Sequence, residues 1–276
     1  MNLTKSQQAA LAYIDELSHG SPIDQHLRVT VNFHPDRIYN DLHILDSMAE
    51  TGVYKSQFET RTSNGGLTAH PGGDRWNWEN RLFGNAYDKA DPGERPKYGA
   101  LNYKRSQYGA SPRFGSAYLR LKKEVLSRTT FCYPDSVFEP ETFGTAQHMS
   151  LIELALADDR DLLDDYIEAQ IHGELSLAND IEALVLDPSH KGTIVEELAD
   201  KLPCDVEWHD GFTLTIKEME KHPDYRGPEY IALAGEIAVD GVLTPAIIGT
   251  AATTDKYDQQ DLKRVWHYLA RFGQSS

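Results

Sequence analysis

Cysteine and long apolar runs are both scarce in this sequence. Its two cysteines, Cys132 and Cys204, are too few for a disulfide framework and are not spaced as metal ligands. No apolar stretch approaches the roughly 18 residues of a membrane span, and the first residues lack the basic and then apolar order of a secretory signal. We therefore expect a soluble protein of a reducing compartment, either cytoplasmic or delivered by a specialised secretion route without a cleaved leader.

Positive charge is scarce as well. The 276 residues include 27 Lys and Arg against 43 Asp and Glu, which gives a formal net charge of −16. This balance argues against a nonspecific nucleic-acid binder, because neutralising phosphates requires a surplus of cations on at least one face. A local basic groove remains open, since many of the Lys and Arg residues fall between positions 95 and 123. With 40% hydrophobic and 25% charged residues, the composition is that of a folded protein.

Alternation of apolar and polar residues predicts the strands of a sheet. In the first of them, residues 27–33, the apolar side chains point one way, while the polar face carries Asn32 and leads to His34. A later strand, residues 166–172, carries Glu168 and Gln170 on its polar face. The same criterion predicts further strands at 54–62, 118–122, 128–133, 181–186 and 204–208.

Helical spacing and turn residues predict the remaining elements. An Asp–Gly pair at 240–241 between apolar runs predicts a hairpin over residues 231–248. The stretch 84–117, rich in Gly, Pro and Tyr, is expected to be a long loop region with short strands. Helices are predicted at 4–17, 36–49, 74–83, 145–158, 193–202 and 258–272. The expected fold class is α+β, with one domain at 27–250 between an N-terminal helical flank at 1–26 and a C-terminal helix at 251–276.

Polar residues at three predicted strand ends resemble those of a known family. They are Asn32 with His34, then Ser63 within TSNGG, then Glu168 with Gln170. This order, together with the segment YIEAQIHGELSLANDIEALVLD, resembles the ADP-ribosyltransferase superfamily, closest to an uncharacterised bacterial toxin- or effector-like branch. The runs YLRLKKEVLSRTTFCYPDS and RPKYGALNY resemble the same branch. The similarity spans about residues 27–187 and implies a split mixed sheet.

The resemblance implies that NAD is the substrate and that ADP-ribose is transferred, with release of nicotinamide, to a protein or nucleic-acid acceptor. Glu168 would stabilise the oxocarbenium-like transition state and hold the ribose 2′-hydroxyl. His34 would hydrogen-bond a ribose hydroxyl or the carboxamide, and Ser63 would orient Glu168. The further NAD-binding residues implied are Asn32, Arg37, Thr62, Gly65 and Gln170.

One departure from the family and three alternatives bear on this interpretation. Members that modify arginine carry Glu or Gln two residues before the catalytic Glu, whereas Tyr166 stands there, which argues against arginine as the acceptor. Water as acceptor would make the protein an NAD glycohydrolase, and a catalytically inactive fold would serve binding alone. A metal-dependent hydrolase is the third alternative, because the chain has eleven histidines. Their spacing matches no recognised metal-ligand interval.

Overall fold

The computed structural model describes residues 2–39, 42–61 and 68–274. They form a mixed α/β fold with a large sheet and helices on both of its faces. The strands are β1 Val29–Phe33, β2 Ile38–Tyr39, β3 Leu42–His43, β4 Lys97–Leu101, β5 Ala117–Leu121, β6 Thr129–Tyr133, β7 Thr142–Thr145, β8 Ile167–Ile171, β9 Ile181–Leu186, β10 Asp205–Trp208, β11 Leu214–Thr215 and β12 Val242–Leu243. The helices are α1 Lys5–Leu17, α2 Ile44–Thr51, α3 Gln57–Thr60, α4 Asp74–Leu82, α5 Leu151–Ala157, α6 Leu177–Asp180, α7 Ile194–Ala199, α8 Ile216–Met219, α9 Pro228–Ile237, α10 Pro245–Ala252 and α11 Gln259–Phe272.

Eight strands form the main sheet in the order β10-β9-β5-β1-β4-β8-β6-β7. Strands β9 and β10 run parallel, and every other neighbouring pair is antiparallel. The strand with Glu168 is therefore central: Ala100 of β4 lies opposite Glu168 on one side and Cys132 of β6 on the other. A central position fixes the backbone of β8 through ladders on both edges.

The two faces of the sheet differ in character. One face carries the main apolar core, in which side chains of β1, β5 and β8 pack against α2, α5 and α7. The other face carries the polar residues of the same strands and is covered by two smaller apolar clusters. One joins α1 and α4 to the segment after α4, and the other is built from the C-terminal helices. The apolar residues of one face and the polar residues of the other explain why alternation located these strands, although both faces of β1, β6 and β8 are buried.

The predicted strands 27–33, 118–122, 128–133, 166–172, 181–186 and 204–208 are confirmed, with ends that differ by at most two residues. The helices predicted at 4–17, 74–83 and 258–272 are confirmed within one residue at each end. The helix at 193–202 is present but shorter, since it ends at Ala199. The coarse fold class is confirmed too, as a mixed sheet with helices at both ends of the chain. Within the described part, no helix is both long and apolar enough to cross a membrane.

Two predicted helices are partly wrong. Residues 36–49 do not form one helix, because β2 and β3 pair with each other, Ile38 opposite His43, before α2 begins. Ile38 and Leu42 belong to these two strands, whereas Leu45 and Met48 lie in α2. Residues 145–158 begin as the end of β7, and α5 starts only at Leu151. Backbone hydrogen bonds between Thr145 and His148, in both directions, close a turn there.

Two predicted β-elements are wrong. Residues 54–62 include a short helix, α3, whose capping box joins Ser56 and Glu59; this Ser-x-x-Glu signal outweighs the strand propensity of the segment. The predicted hairpin at 231–248 is replaced by α9 and α10, each with a proline in its first turn. Asp240 and Gly241 do form a turn, with φ values of 50° and 73°, but it joins α9 to the two-residue strand β12.

Candidate functional site

A cleft opens on the polar face of the sheet, above β1, β4 and β8. It encloses about 730 Å³ of empty space, part of it open to solvent. Asn32, Tyr98 and Glu168 line it from the sheet, Asp135 from the turn after β6, and Arg75 from α4. Residues far apart in the sequence therefore converge on one polar cleft.

Two carboxyl groups meet in this cleft. Glu168 is 6% exposed and accepts a hydrogen bond of 3.1 Å from the Gln170 amide on Oε1. Asp135 is also 6% exposed and accepts from the backbone N–H of Val137 at 3.0 Å and from the Tyr166 hydroxyl. The hydroxyl of Ser136 lies between the two groups, 2.8 Å from Asp135 Oδ1 and 3.0 Å from Glu168 Oε2.

Glu168 holds a proton at neutral pH. Burial and the like charge of Asp135 together raise the pKa of Glu168 to about 8, against the opposing effects of Arg75 and the Gln170 hydrogen bond. The Ser136 hydroxyl has one proton and can donate to only one of its two carboxyl neighbours. A proton on Glu168 completes the network by donating to the serine oxygen. Glu168 is therefore protonated at neutral pH and becomes a carboxylate as the pH rises above about 8.

Cationic side chains also line the cleft, although the chain as a whole is acidic. Arg75 reaches it from α4, Arg113 from the loop before β5, and Lys263 from α11. Arg113 forms an ion pair with Asp164, and burial lowers the pKa of Lys263. A cleft with three cations and a carboxyl pair suits a ligand that bears both phosphate and positive charge.

The loop of residues 103–116 forms one wall of the cleft and is held from two sides. From the sheet, the Asn32 amide donates to the carbonyl oxygens of Tyr108, at 2.9 Å, and Gly115, at 3.3 Å. From α11, the Trp266 indole N–H donates to the carbonyl oxygens of Pro112 and Arg113, at 3.0 and 3.1 Å. The amide nitrogen of Asn32, predicted to bind NAD, is thus engaged in fixing this loop.

Gln170 is not among the residues that line the cleft. It is fully buried beneath Glu168, accepts a hydrogen bond of 2.9 Å from the Thr130 hydroxyl, and contacts Cys132 Sγ at 3.3 Å. The structure therefore makes Gln170 a positioning residue for Glu168, where the sequence predicted a direct contact with NAD.

His34 and Arg37 lie outside the cleft lining. The imidazole of His34 packs edge-on against Trp266, with ring centroids 4.9 Å apart, and burial lowers its pKa well below the usual value. The guanidinium of Arg37 lies 3.4 Å from the Gln259 side-chain oxygen. The backbone turn after β1, with a hydrogen bond from Arg37 N–H to the His34 carbonyl, directs both residues toward α11. The structure thus brings Asn32, Gln170 and Glu168 together and places the predicted His34 and Arg37 elsewhere.

Ser63, Thr62 and Gly65, which were also predicted for the site, lie outside the described residues. Among the residues that are described, no three His, Cys, Asp or Glu side chains are grouped as a metal site would require.

Asp135, Ser136 and Arg75 were missed from the sequence. A signal for the first two existed, because Pro-Asp-Ser follows the predicted strand 128–133 and turn residues at a strand end are candidates for a site. What was missing was the pairing of that strand with the Glu168 strand. Arg75 offered no signal, since it belongs to a helix whose aromatic residues suggest only core packing.

Comparisons with known proteins give a family and no function. No curated protein matches the sequence. The model of a family described as a protein of unknown function, DUF3626, matches residues 28–160 and 156–272. Because these two matches together span most of its length, the chain belongs to the DUF3626 family.

Proposed function

We propose that the chain cleaves the bond between nicotinamide and ribose in NAD and transfers ADP-ribose to a macromolecular acceptor, on a fold of the ADP-ribosyltransferase type. The observation that carries this proposal is the buried Glu168–Asp135 pair, whose two carboxyl groups meet at the Ser136 hydroxyl in a cleft that cationic side chains also line. The similarity of residues 166–187 to the Glu-bearing segment of that superfamily supports it.

The pair fits the requirements of this glycosyl transfer. When the C1′–N1 bond breaks, its electron pair passes to the positively charged nicotinamide ring, which leaves as a neutral molecule and needs no general acid. Positive charge develops on the ribose, and a buried carboxylate stabilises it more strongly than water would. The second bond forms between C1′ and a nucleophile of the acceptor. The proton that the nucleophile loses goes to the carboxylate of the pair and then to solvent.

Asp135 changes the argument about the acceptor. Tyr166 stands where arginine-modifying members of the superfamily have an acid or amide, but its hydroxyl donates to Asp135. The second carboxyl of the site thus comes from the turn after β6, and the residue at position 166 does not by itself exclude arginine.

The proposal is tested with NAD labelled in its adenine portion, incubated with the protein and a cell lysate. At a pH above about 8, where Glu168 is ionised, wild type should label an acceptor and release nicotinamide. Glu168→Gln should reduce both rates by about 100-fold or more, as is typical for loss of a charge that stabilises a transition state. Glu182→Gln is the matched control, because Glu182 lies on β9, pairs with Arg28 and Arg120, and is not among the residues lining the cleft.

Other outcomes have distinct meanings. Accumulation of free ADP-ribose without a labelled acceptor would make the protein an NAD glycohydrolase that uses the same pair. Binding of NAD in a calorimeter with no release of nicotinamide would leave a binding function only. Equal activity of wild type and Glu168→Gln would refute the proposed chemistry.

A further inference from the structure

Two nitrogen atoms of the Arg75 guanidinium are buried in the cleft without a hydrogen-bond acceptor among the described residues. The residue is 4% exposed and lines the cleft from the first turn of α4. Its Nε and Nη1 atoms are buried and have no partner, and it forms no ion pair with any carboxylate in the described part of the chain. Buried donors are almost always paired, because leaving them unpaired costs the hydration they had in the unfolded chain.

Aromatic rings hold Arg75 in place without satisfying its donors. The guanidinium carbon lies 4.3 Å from the centre of the Tyr98 ring and 4.9 Å from that of Trp78. These contacts compensate part of the charge. They leave the N–H groups of the planar fork available for a carboxylate or phosphate.

Neighbouring carboxyl groups are occupied elsewhere. Glu79 is fully buried and forms an ion pair with Arg95 and a hydrogen bond with the Tyr98 hydroxyl. Glu168 and Asp135 are hydrogen-bonded by Ser136, Gln170 and Tyr166. Within the described residues, the protein therefore supplies no acceptor for the Arg75 fork.

A second unpaired group lines the same cleft. Gln57, at the start of α3, has a buried side-chain oxygen to which no described residue donates. Among the described residues, the cleft thus contains unpaired donors on Arg75 and an unpaired acceptor on Gln57. A ligand that carries an oxyanion and a hydroxyl group supplies what both residues lack.

We propose that Arg75 and Gln57 form a buried oxyanion subsite, in which the Arg75 guanidinium binds a phosphate or carboxylate and the Gln57 oxygen accepts a hydrogen bond from a hydroxyl group of the same ligand. This subsite rests on the proposed function only for the identity of the natural ligand, as a phosphate of NAD or a carboxylate of the acceptor. Its existence does not require cleavage of NAD.

The test is calorimetry with the full chain and four probes: inorganic phosphate, acetate, ribose and ribose 5-phosphate. Wild type should bind ribose 5-phosphate at least tenfold more tightly than phosphate. Arg75→Met should lose at least tenfold in affinity for every probe with an anionic group. Gln57→Leu should remove the tenfold advantage of ribose 5-phosphate and leave phosphate binding unchanged. Arg37→Met is the matched control, because Arg37 lies outside the cleft lining, and it should bind as wild type does.

The outcomes separate the two sources of the oxyanion and the two proposals. Tighter binding of phosphate than of acetate assigns the subsite to a phosphate of the ligand, and the reverse assigns it to a carboxylate. Denaturant unfolding of Arg75→Met shows whether the variant folds, and Arg75→Lys supplies a second variant that keeps the charge but not the fork. Binding of no anion by wild type, or equal binding by Arg75→Met, would overturn the subsite whether or not NAD is cleaved. Anion binding without release of nicotinamide would refute only the proposed function.

Discussion

Replacing Glu168 by Gln should stabilise the protein, and the gain should grow as the pH rises. The folded protein raises the pKa of Glu168 to about 8, above the value near 4.5 of an exposed Glu. Between these two pH values the folded state holds a proton that the unfolded state has released. Folding stability therefore falls with rising pH over this window. Glutamine has no such proton and keeps an oxygen that can accept from Gln170.

The magnitude follows from the size of the shift. Each pH unit between the two pKa values changes the free energy of unfolding by about 1.4 kcal/mol for one proton. From pH 5 to pH 8 the unfolded-state carboxyl goes from mostly to fully ionised, while the folded one reaches half ionisation. The advantage of Glu168→Gln over wild type should therefore increase by about 3 kcal/mol across this interval.

Urea unfolding of both proteins at pH 5, 6, 7 and 8 measures the effect. Only the difference between them is informative, because burial lowers the pKa values of His34, His172, His190 and His267 and makes stability rise with pH in both proteins. A difference that stays constant within about 0.5 kcal/mol from pH 5 to pH 8 would refute the reasoning. It would mean that the substitution changes the free energy of unfolding without changing the number of protons that the folded state holds.

Glu182→Gln is the control, because its effect on folding stability should have the opposite sign. Burial raises the pKa of Glu182, but hydrogen bonds and charges from Arg28 and Arg120 outweigh it and hold the pKa below the usual value. The stabilisation from such a carboxylate is present above its unfolded-state pKa and is lost only as the pH falls. Glu182→Gln should therefore be less stable than wild type, by a similar amount at pH 5 and at pH 8.

Four further substitutions have expected outcomes. Gln170→Leu removes a hydrogen bond that favours the ionised form of Glu168, so the pH at which NAD cleavage reaches half its maximum should rise by about one unit. Gly115→Ala should destabilise the protein by more than about 3 kcal/mol in urea unfolding, because a Cβ there would lie 1.9 Å from a backbone carbon of β1. Gly192→Ala, with φ of 70° and nothing within 4 Å of its Cβ, should cost only about 1 kcal/mol. Asp187→Ala should cost about 3 kcal/mol in the same assay, since this buried carboxylate accepts from two backbone N–H groups at 2.8 Å.

The strands were predictable because apolar side chains alternate with polar ones along them, although β1, β6 and β8 are buried on both faces. Residues 181–186 were located to the residue, and the polar face of the strand at 166–172 correctly placed Glu168 toward a cleft. Short elements were harder, because a few residues of helical or strand-like spacing fit either structure. In the segment 54–62, the capping box favours a helix over a strand. This helix places Gln57 in the lining of the cleft.

The site was only partly predictable for a different reason. Glu168 could be found because its own strand shows the polar face on which it lies. Asp135 and Arg75 approach it through the pairing of β6 with β8 and the packing of α4, and neither relation is visible in local spacing. His34 was predicted to be a catalytic residue because it follows β1. The backbone turn after β1 instead directs its ring against Trp266 of α11, outside the cleft lining.

The two anchors of the 103–116 loop make the two ends of the chain interdependent. Asn32 and Trp266 hold the same loop, although more than two hundred positions separate them. A fragment that stops before α11 would keep all eight strands of the main sheet and the Glu168–Asp135 pair, but it would lose one of the two attachments of a cleft wall. Shortening the protein from its C-terminal side should therefore weaken ligand retention before it affects bond cleavage. Fusions and truncations at that end act directly on the geometry of the cleft.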